Sequence, residues 1–294
     1  MAHKRYITAF GASGRIGSEL LKLLSESAIP TLAVSRHRSS RDSLPGVEWV
    51  EADMAVPHSL EPVLARSSSI FLLSGQSREL AKEQTNVIRA AGNSSVRHIV
   101  KLSSGAAGKE SPFYIPGFLI ASVHEEVEEN LRNSGIPWTI LRPNGFMQNW
   151  LGEWSRTVQQ ERKIYDAAGE GKRAYIDIRD IAEVAFTALT TPEKHTGKTH
   201  LLTGEEALNY TQIAAILTRA LEEEVRFIPL TQEEARLRME QRGVPPMTIR
   251  SLLAYAEAQY QGKATHVSGA VRELLQKPAR TVEAFIQDHL GCFR

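Results

Sequence analysis

Short apolar, β-prone runs alternate with segments of helical periodicity through the first half of the chain. Predicted strands cover residues 6–10, 31–36, 47–53, 69–75, 98–102 and 138–143. Predicted helices lie between them at residues 18–24, 57–65, 79–91 and 121–132. Strands that alternate with helices indicate parallel βαβ units with right-handed crossovers. The pattern therefore predicts an α/β fold, a Rossmann-type doubly wound parallel sheet.

The pattern changes after residue 146 and becomes mostly helical. One amphipathic helix is predicted over residues 147–159, and further strands over 173–178, 199–202 and 225–229. Other helices are predicted at residues 180–185, 210–221, 232–241, 247–260 and 280–289. We interpret residues 1–146 as a dinucleotide-binding domain that segments near 173–203 rejoin. Residues 147–294 then form a smaller, mainly helical substrate lobe that caps the strand ends.

Composition narrows the class of protein. The chain has 294 residues, with 35 Lys and Arg against 34 Asp and Glu, so no net charge favours nucleic acid or a membrane surface. Its apolar runs are shorter than the ~20 residues of a membrane helix. The first strand follows Met1 closely and leaves no room for a signal peptide. A single cysteine, Cys292, suits a reducing compartment. These features predict a cytoplasmic protein.

A glycine-rich stretch joins the first predicted strand to the first helix. Its sequence is Gly-Ala-Ser-Gly-Arg-Ile-Gly, and its candidate cofactor-binding residues are the three glycines together with Ser13, Arg15 and Ile16. Gly11 is expected to make a tight turn, Gly14 to leave room for phosphates, and Gly17 to let the helix pack closely. Backbone N–H groups at the start of a helix attract a pyrophosphate. The stretch favours a bound dinucleotide, and a simple βα turn is the alternative.

The end of the second predicted strand discriminates between the two nicotinamide dinucleotides. An acid there would bind the ribose 2′-hydroxyl of NAD, whereas this chain carries Arg36 and Arg38, with no acid before Asp42. An arginine can bind a phosphate through two hydrogen bonds. We therefore expect NADP(H), with NAD(H) as an alternative cofactor. The competing interpretation is a solvated basic loop.

Ligands of such sheets bind beyond the carboxyl ends of the strands. This rule adds further candidate cofactor-binding residues: Asp53, Met54, Leu73, Ser74, Gly75, Ser103, His124, Pro143, Asn144, Gly145 and Phe146. No spacing of His and Cys predicts a zinc site, so we expect no metal. Ser103 and Ser104 lack the His and Asp pattern of acyl transfer and are expected to form a polar rim. The acidic residues 125–129 and 222–224 are interpreted mostly as solvated helix faces.

Several sequence blocks together suggest a family. They are the glycine stretch at residue 11, Arg36, residues 134–149 (SGIPWTILRPNGFMQN), residues 175–182 (YIDIRDIA) and Leu202-Thr203-Gly204. Along nearly its whole length the chain resembles the NmrA-like proteins of the atypical short-chain dehydrogenase/reductase superfamily. The resemblance implies a Rossmann domain and NADP(H). Members include NADPH-dependent quinone reductases and azoreductases, and also dinucleotide-sensing regulators without chemistry of their own.

The chain departs from the superfamily at the Tyr-x-x-x-Lys pair that follows the fifth strand. Ile120 stands at the Tyr position and His124 at the Lys position. Reduction of a ketone needs a positioned acid, whereas a quinone yields a weakly basic anion that can take its proton from water. The missing pair therefore weighs more against alcohol dehydrogenation than against quinone reduction.

Two residues are tentative catalytic candidates, His124 and Tyr114. Val127 and Leu131 follow His124 at helical spacing, so its side chain should face inward, where it could bind the nicotinamide ribose or donate a proton. A buried histidine without a chemical role is the alternative. Tyr114 could serve as a substitute acid or simply line a pocket. The expected apolar wall of the substrate pocket consists of Phe113, Tyr114, Phe146 and Trp150.

Two functions remain in competition. The first is an NAD(P)H-dependent oxidoreductase that reduces a quinone-like, azo or related conjugated small-molecule acceptor. The second is a catalytically silent NADP(H) sensor that acts through a regulatory protein partner. A homodimer is also compatible with the sequence, which predicts neither a nucleic-acid partner nor a membrane.

Overall fold

A computed structural model describes residues 5–37, 44–77 and 79–294 of the chain. The strands are β1 (Tyr6–Ala9), β2 (Thr31–Ser35), β3 (Val47–Glu51), β4 (Ser67–Leu72), β5 (His98–Leu102), β6 (Trp138–Pro143), β7 (Lys163–Asp166), β8 (Lys198–Leu202) and β9 (Arg226–Pro229). The helices are α1 (Arg15–Glu26), α2 (Pro57–Leu64), α3 (Leu80–Gly92), α4 (Leu119–Arg132), α5 (Glu153–Glu161), α6 (Ile178–Thr190), α7 (Pro192–His195), α8 (Tyr210–Leu221), α9 (Gln232–Gln241), α10 (Pro246–Tyr260), α11 (Ala270–Leu275) and α12 (Val282–Asp288).

Two compact units divide the chain. The first comprises Met1–Ala107, Leu119–Pro143 and Ile178–Leu201, and the second comprises Gly108–Phe118, Asn144–Asp177 and Leu202–Arg294. The first unit carries a seven-stranded sheet of order β3-β2-β1-β4-β5-β6-β8. The pairings among β1 to β6 are parallel. This order reverses at β1, as in a doubly wound Rossmann fold, and confirms the predicted fold class.

Apolar side chains on both faces of the sheet explain why helices cover it. On one face, β2, β4 and β5 contribute Leu32, Ile70 and Ile99 to a core shared with α2, α3 and α4. On the other face, Ala9 of β1 and Ala33 of β2 pack with Leu21 of α1. Because strands buried on both faces need apolar residues at nearly every position, their runs were continuous rather than alternating in the sequence.

The second unit has its own hydrophobic core. Strands β7 and β9 pair in parallel as a separate two-stranded sheet. Trp150, Tyr210 and Phe285 pack in this core with residues of α5 and α8. The rings of Trp150 and Trp154 stack here at 5.6 Å between centroids. Strand β7 and helix α11 have no counterpart in the sequence prediction.

The single helix predicted over residues 147–159 is wrong. A 3₁₀-helix covers Met147–Trp150, and α5 begins only at Glu153. Gly152 has φ −152° and ψ −105°, a conformation outside the helical region that interrupts the run. The apolar spacing of the tryptophans spans the break, which is why periodicity alone predicted one helix.

The strand predicted over residues 173–178 is also wrong. Arg173 forms an isolated antiparallel bridge with Leu208, and Ile176 an isolated parallel bridge with Phe146. Between them, the Ala174 N–H donates to the carbonyl of Ala264 at 3.2 Å. The segment is extended, but its backbone pairs with three different parts of the second unit instead of one neighbouring strand.

Candidate functional site

The glycine stretch lies where β1 ends and α1 begins, as predicted. Gly11 has φ +71°, and a Cβ at this position would lie 2.7 Å from the Leu73 carbonyl oxygen. A Cβ on Gly17 would lie 2.2 Å from the Gly11 carbonyl oxygen. Only glycine permits this turn and this close approach of α1 to the turn. The tight-turn and close-packing roles therefore follow from contacts within the protein itself.

The start of α1 is suited to bind an anion. Gly14 is the N-cap residue and provides no side-chain hydrogen bond to the first turn. A Cβ there would meet the Gly11 carbonyl oxygen at 3.3 Å and no other described atom within 4 Å. Gly14 is exposed, and at the start of α1 the helix dipole favours negative charge. These residues fit the pyrophosphate of a dinucleotide.

Other predicted cofactor-binding residues of the first unit lie after the carboxyl ends of β2, β3 and β4. Arg36 follows β2 and is exposed, whereas Arg38 lies outside the described residues. Asp53 accepts a hydrogen bond from the Ala55 N–H at 2.9 Å, and Met54 follows it. Ser74 accepts a hydrogen bond from Gln84 at 2.9 Å, and a Cβ added to Gly75 would meet nothing within 4 Å. The topology thus brings these residues to one edge of the sheet.

A buried ionic network lies between α4 and the ends of β5 and β6. Glu128 of α4 accepts hydrogen bonds from Arg142 Nε at 2.9 Å and Arg142 Nη2 at 2.5 Å. Ser103 donates to the same carboxylate at 2.5 Å, and Arg132 of α4 donates to it at 2.9 Å. Burial alone would raise the pKa of Glu128, but the hydrogen bonds from Arg142 and Ser103 hold it below the ordinary value.

This network corrects one interpretation of the acidic residues in α4. Glu126 and Glu129 are exposed, as a solvated helix face requires, but Glu128 is fully buried. It faces the sheet because it lies four residues after His124, on the same side of the helix. The hydroxyl of Ser103 is likewise directed to Glu128. The run 222–224 is exposed as predicted.

His124 faces inward, as its helical spacing predicted, and is 5% exposed. Its Nδ1 lies 3.1 Å from the Nζ of Lys101, a residue of β5 that sequence reasoning missed. Burial, and secondly the charge of Lys101, lower the pKa of His124 well below its ordinary value. A lysine inside an otherwise apolar strand was the signal that could have identified this pair.

The remaining predicted site residues belong to the second unit, apart from Pro143 at the end of β6. The Asn144 N–H donates to the Leu202 carbonyl at 2.9 Å, and its side-chain amide donates to the Ala174 carbonyl at 3.1 Å. A Cβ on Gly145 would lie 3.0 Å from Arg173 Cδ. Phe146 is half-buried. The structure therefore gives Asn144 and Gly145 roles in holding the irregular segment that begins at Arg173.

The four residues of the predicted substrate wall lie in the second unit and differ in how far they are exposed. Trp150 is 3% exposed and contacts Trp154 and Tyr175, so its ring belongs to the core. Phe113 is buried and meets His266 edge-on, with 6.1 Å between ring centroids. Tyr114 is half-buried and keeps an accessible surface. Of this set, Tyr114 and the half-buried Phe146 have the most ring surface to offer a ligand.

Within residues 5–37, 44–77 and 79–294, no group of three or more His, Cys, Asp or Glu side chains is arranged to hold a metal ion. No helix in the same part of the chain is long and apolar enough to cross a membrane.

Known proteins resemble this chain over nearly its full length. The model of the NmrA-like family matches residues 3–286. An NAD(P)H azoreductase of Xenophilus azovorans is 31% identical over 292 residues, which cover 98% of this chain and 99% of the relative. The NADPH-dependent quinone oxidoreductase of Escherichia coli, solved with NADPH, is 25% identical with a TM-score of 0.86, covering 97% of this chain and 99% of that one. The triphenylmethane reductase of Citrobacter sp., solved with NADP(H), is 27% identical with a TM-score of 0.84, covering 96% and 99%.

Proposed function

Because the chain belongs to the NmrA-like family, we propose that it is an NAD(P)H-dependent oxidoreductase that passes a hydride to a quinone-like, azo or related conjugated acceptor. One observation supports the cofactor: after the turn at Gly11, no side chain caps the start of α1, where the helix dipole favours a pyrophosphate. The similar azoreductase, quinone oxidoreductase and triphenylmethane reductase support the reaction class. The regulator alternative is not favoured, since these relatives are named for reductions.

NADPH is the preferred cofactor in this proposal. Arg36 directly follows β2, at the position where an acid would repel a 2′-phosphate, and its guanidinium is exposed. An arginine can bind such a phosphate through two N–H groups. Arg38 is a second candidate two residues further along the chain.

A conjugated acceptor suits the residues at the start of α4. Ile120 carries no acidic proton, so this chain lacks the tyrosine that would protonate an alkoxide. Reduction of a quinone leaves a less basic anion, which needs weaker acid assistance than the alkoxide from a ketone does. Binding would then contribute mainly by holding donor and acceptor close together.

Calorimetry and turnover test the proposal together. We expect the protein to bind NADPH more tightly than NADH, and to oxidise NADPH with at least one member of a panel of quinones and azo dyes. Arg36→Asp should weaken NADPH binding about tenfold or more while changing NADH binding little, because it removes a phosphate partner and adds a like charge.

The controls separate the two parts of the proposal. Equal losses of NADPH and NADH affinity in Arg36→Asp would contradict the NADP(H) preference. Tight binding of NADPH without oxidation by any acceptor would contradict the reductase and revive a binding-only role.

A further inference from the structure

Lys101 is a fully buried lysine to which the proposed function assigns no role. It lies near the carboxyl end of β5, and none of its surface is exposed. Its Nζ donates to the Leu102 carbonyl at 3.0 Å and lies 3.1 Å from Nδ1 of His124. A lysine is almost never fully buried unless its ammonium is paired. The Leu102 carbonyl and His124 Nδ1 are therefore the groups that pair with the buried Nζ of Lys101.

This contact determines which ring nitrogen of His124 carries the proton. While Lys101 is protonated, its ammonium has three N–H donors and no acceptor, so Nδ1 of His124 accepts from it. The neutral imidazole then carries its hydrogen on Nε2. Among the described residues, Nε2 makes no hydrogen bond. The ring is thus held at one nitrogen and can donate at the other.

We propose that Lys101 and His124 form a proton relay for the reduction, in which Lys101 holds the imidazole at Nδ1 and His124 presents its Nε2–H group to the acceptor. The relay rests on the oxidoreductase function proposed above. His124 is the residue that meets the acceptor, and Lys101 acts only through it. The pair thereby supplies the proton that the missing tyrosine would have given.

Protons and electrons balance in the proposed reduction. NADPH, when bound, supplies a hydride and leaves as NADP⁺, so the acceptor gains two electrons and becomes an anion. His124 gives its Nε2 proton to that anion while its Nδ1 takes a proton from the Lys101 ammonium. The imidazole stays neutral, its hydrogen has moved to Nδ1, and Lys101 becomes an amine. One proton from water, entering through His124, restores the pair.

The charges around the pair suit this exchange. Burial lowers the pKa of Lys101 to about 7, while Glu128 of α4 raises it and Arg142 of β6 lowers it. Lys101 can therefore lose and regain a proton near neutral pH. Since the pKa of His124 is lowered, its ring is neutral there and can transfer a proton at both nitrogens at once. The relay should weaken as pH rises above about 7.

The decisive variant is Lys101→Met, which keeps an unbranched side chain only one atom shorter and removes the ammonium protons. We expect unchanged NADPH affinity by calorimetry and a kcat with a quinone that falls about tenfold or more. The decline of wild-type kcat above neutral pH should also disappear. A double variant with His124→Gln should be no slower than His124→Gln alone, because both residues serve one path.

Arg132→Met is the matched control. Arg132 also donates to Glu128 from α4, but it does not contact His124, so its loss should leave kcat and its pH profile unchanged. Equal losses in Lys101→Met and Arg132→Met would overturn the relay, because any removed cation would then suffice. A Lys101→Met enzyme with wild-type kcat and pH profile would overturn it as well.

A spectroscopic measurement tests the contact without turnover. Nitrogen-15 NMR of the histidine rings below pH 7, where Lys101 is protonated, should show His124 of the wild-type protein with its hydrogen on Nε2, and Lys101→Met should lose this preference. A wild-type ring with its hydrogen on Nδ1 would overturn the proposal. Failure of the proposed function would instead appear in the wild type itself, as absent NADPH binding or oxidation.

Discussion

One face of α4 carries three polar side chains spaced four residues apart: His124 and Glu128, which are buried, and Arg132, which is exposed. Glu128 binds Arg142 through both carboxylate oxygens, and both side chains are buried. Burying two charges costs desolvation energy, and close pairing offsets it. The pair is therefore weak evidence for net stability, but each partner depends on the other.

At this residue scale we expect Glu128→Ala to destabilise the protein by about 3–5 kcal/mol, because it leaves the Arg142 guanidinium buried without its carboxylate. Urea denaturation at pH 7 measures the change. Glu129→Ala removes the same side chain from an exposed position one residue later, and should change stability by about 0.5 kcal/mol or less. Similar losses in both variants would mean that helix content, not the ion pair, accounts for the effect.

At the scale of elements, the junction of β1 and α1 is set by backbone contacts. Gly17 lies in the first turn of α1, directly against the carbonyl oxygen of Gly11. Neither group is the end of a flexible side chain, so an added methyl group can be accommodated only by moving α1 away from the turn. Such a movement would displace the N–H groups proposed to bind the pyrophosphate.

Gly17→Ala should therefore destabilise the protein by about 1–3 kcal/mol and weaken NADPH binding. The control is Gly92→Ala at the end of α3, where a Cβ would meet nothing within 4 Å. That change should be neutral or stabilising by up to about 1 kcal/mol. Thermal unfolding measures the stability of both variants, and calorimetry measures their affinity for NADPH. Unchanged NADPH affinity in Gly17→Ala would contradict a cofactor site at this turn.

At the scale of the whole molecule, buried histidines link stability to pH. His98 at the start of β5 lies 2.9 Å from the Thr139 hydroxyl, which itself donates to the His195 carbonyl. His98 Nε2–H therefore donates to the Thr139 oxygen, and Nδ1 is buried without a partner among the described residues. Burial, with the charge of His195 as a second cause, lowers the pKa of His98 to about 4.

The sign of the effect follows from this depressed pKa. Between the ordinary value near 6.5 and about 4, the unfolded chain binds a proton at this residue that the folded protein does not. The stability contributed by the neutral histidine is thus fully present above pH 6.5 and is lost as the pH falls toward 4. Asp166, whose pKa burial raises to about 6, acts in the opposite direction, so a comparison of variants is needed.

We expect His98→Leu to gain stability relative to wild type by up to about 2 kcal/mol between pH 7.5 and pH 5, since the leucine does not titrate. Urea denaturation gives the free energy of unfolding of both proteins at each pH. The effect of the substitution at pH 5 is then compared with its effect at pH 7.5. An identical effect of the substitution at both pH values would show that His98 does not contribute to the acid sensitivity.

The amino-acid sequence by itself determined the fold class and the glycine turn between β1 and α1. Both depend on patterns between near neighbours: alternating strands and helices, and glycines at one strand-to-helix junction. It also predicted that His124 faces inward, because helical spacing places it with Val127 and Leu131. Such features need no knowledge of distant partners, so they are readable from residues a few positions apart.

Only the tertiary structure determined which residues are hydrogen-bond partners. Lys101 and His124 are 23 residues apart, and Glu128 and Arg142 are 14 apart, and each pair meets because β5 and β6 pair beneath α4. The segment that begins at Arg173 looked like a strand, yet its backbone partners are Phe146, Leu208 and Ala264. A local pattern records whether a residue will be buried, but the identity of its hydrogen-bond partner depends on which elements the fold places beside it.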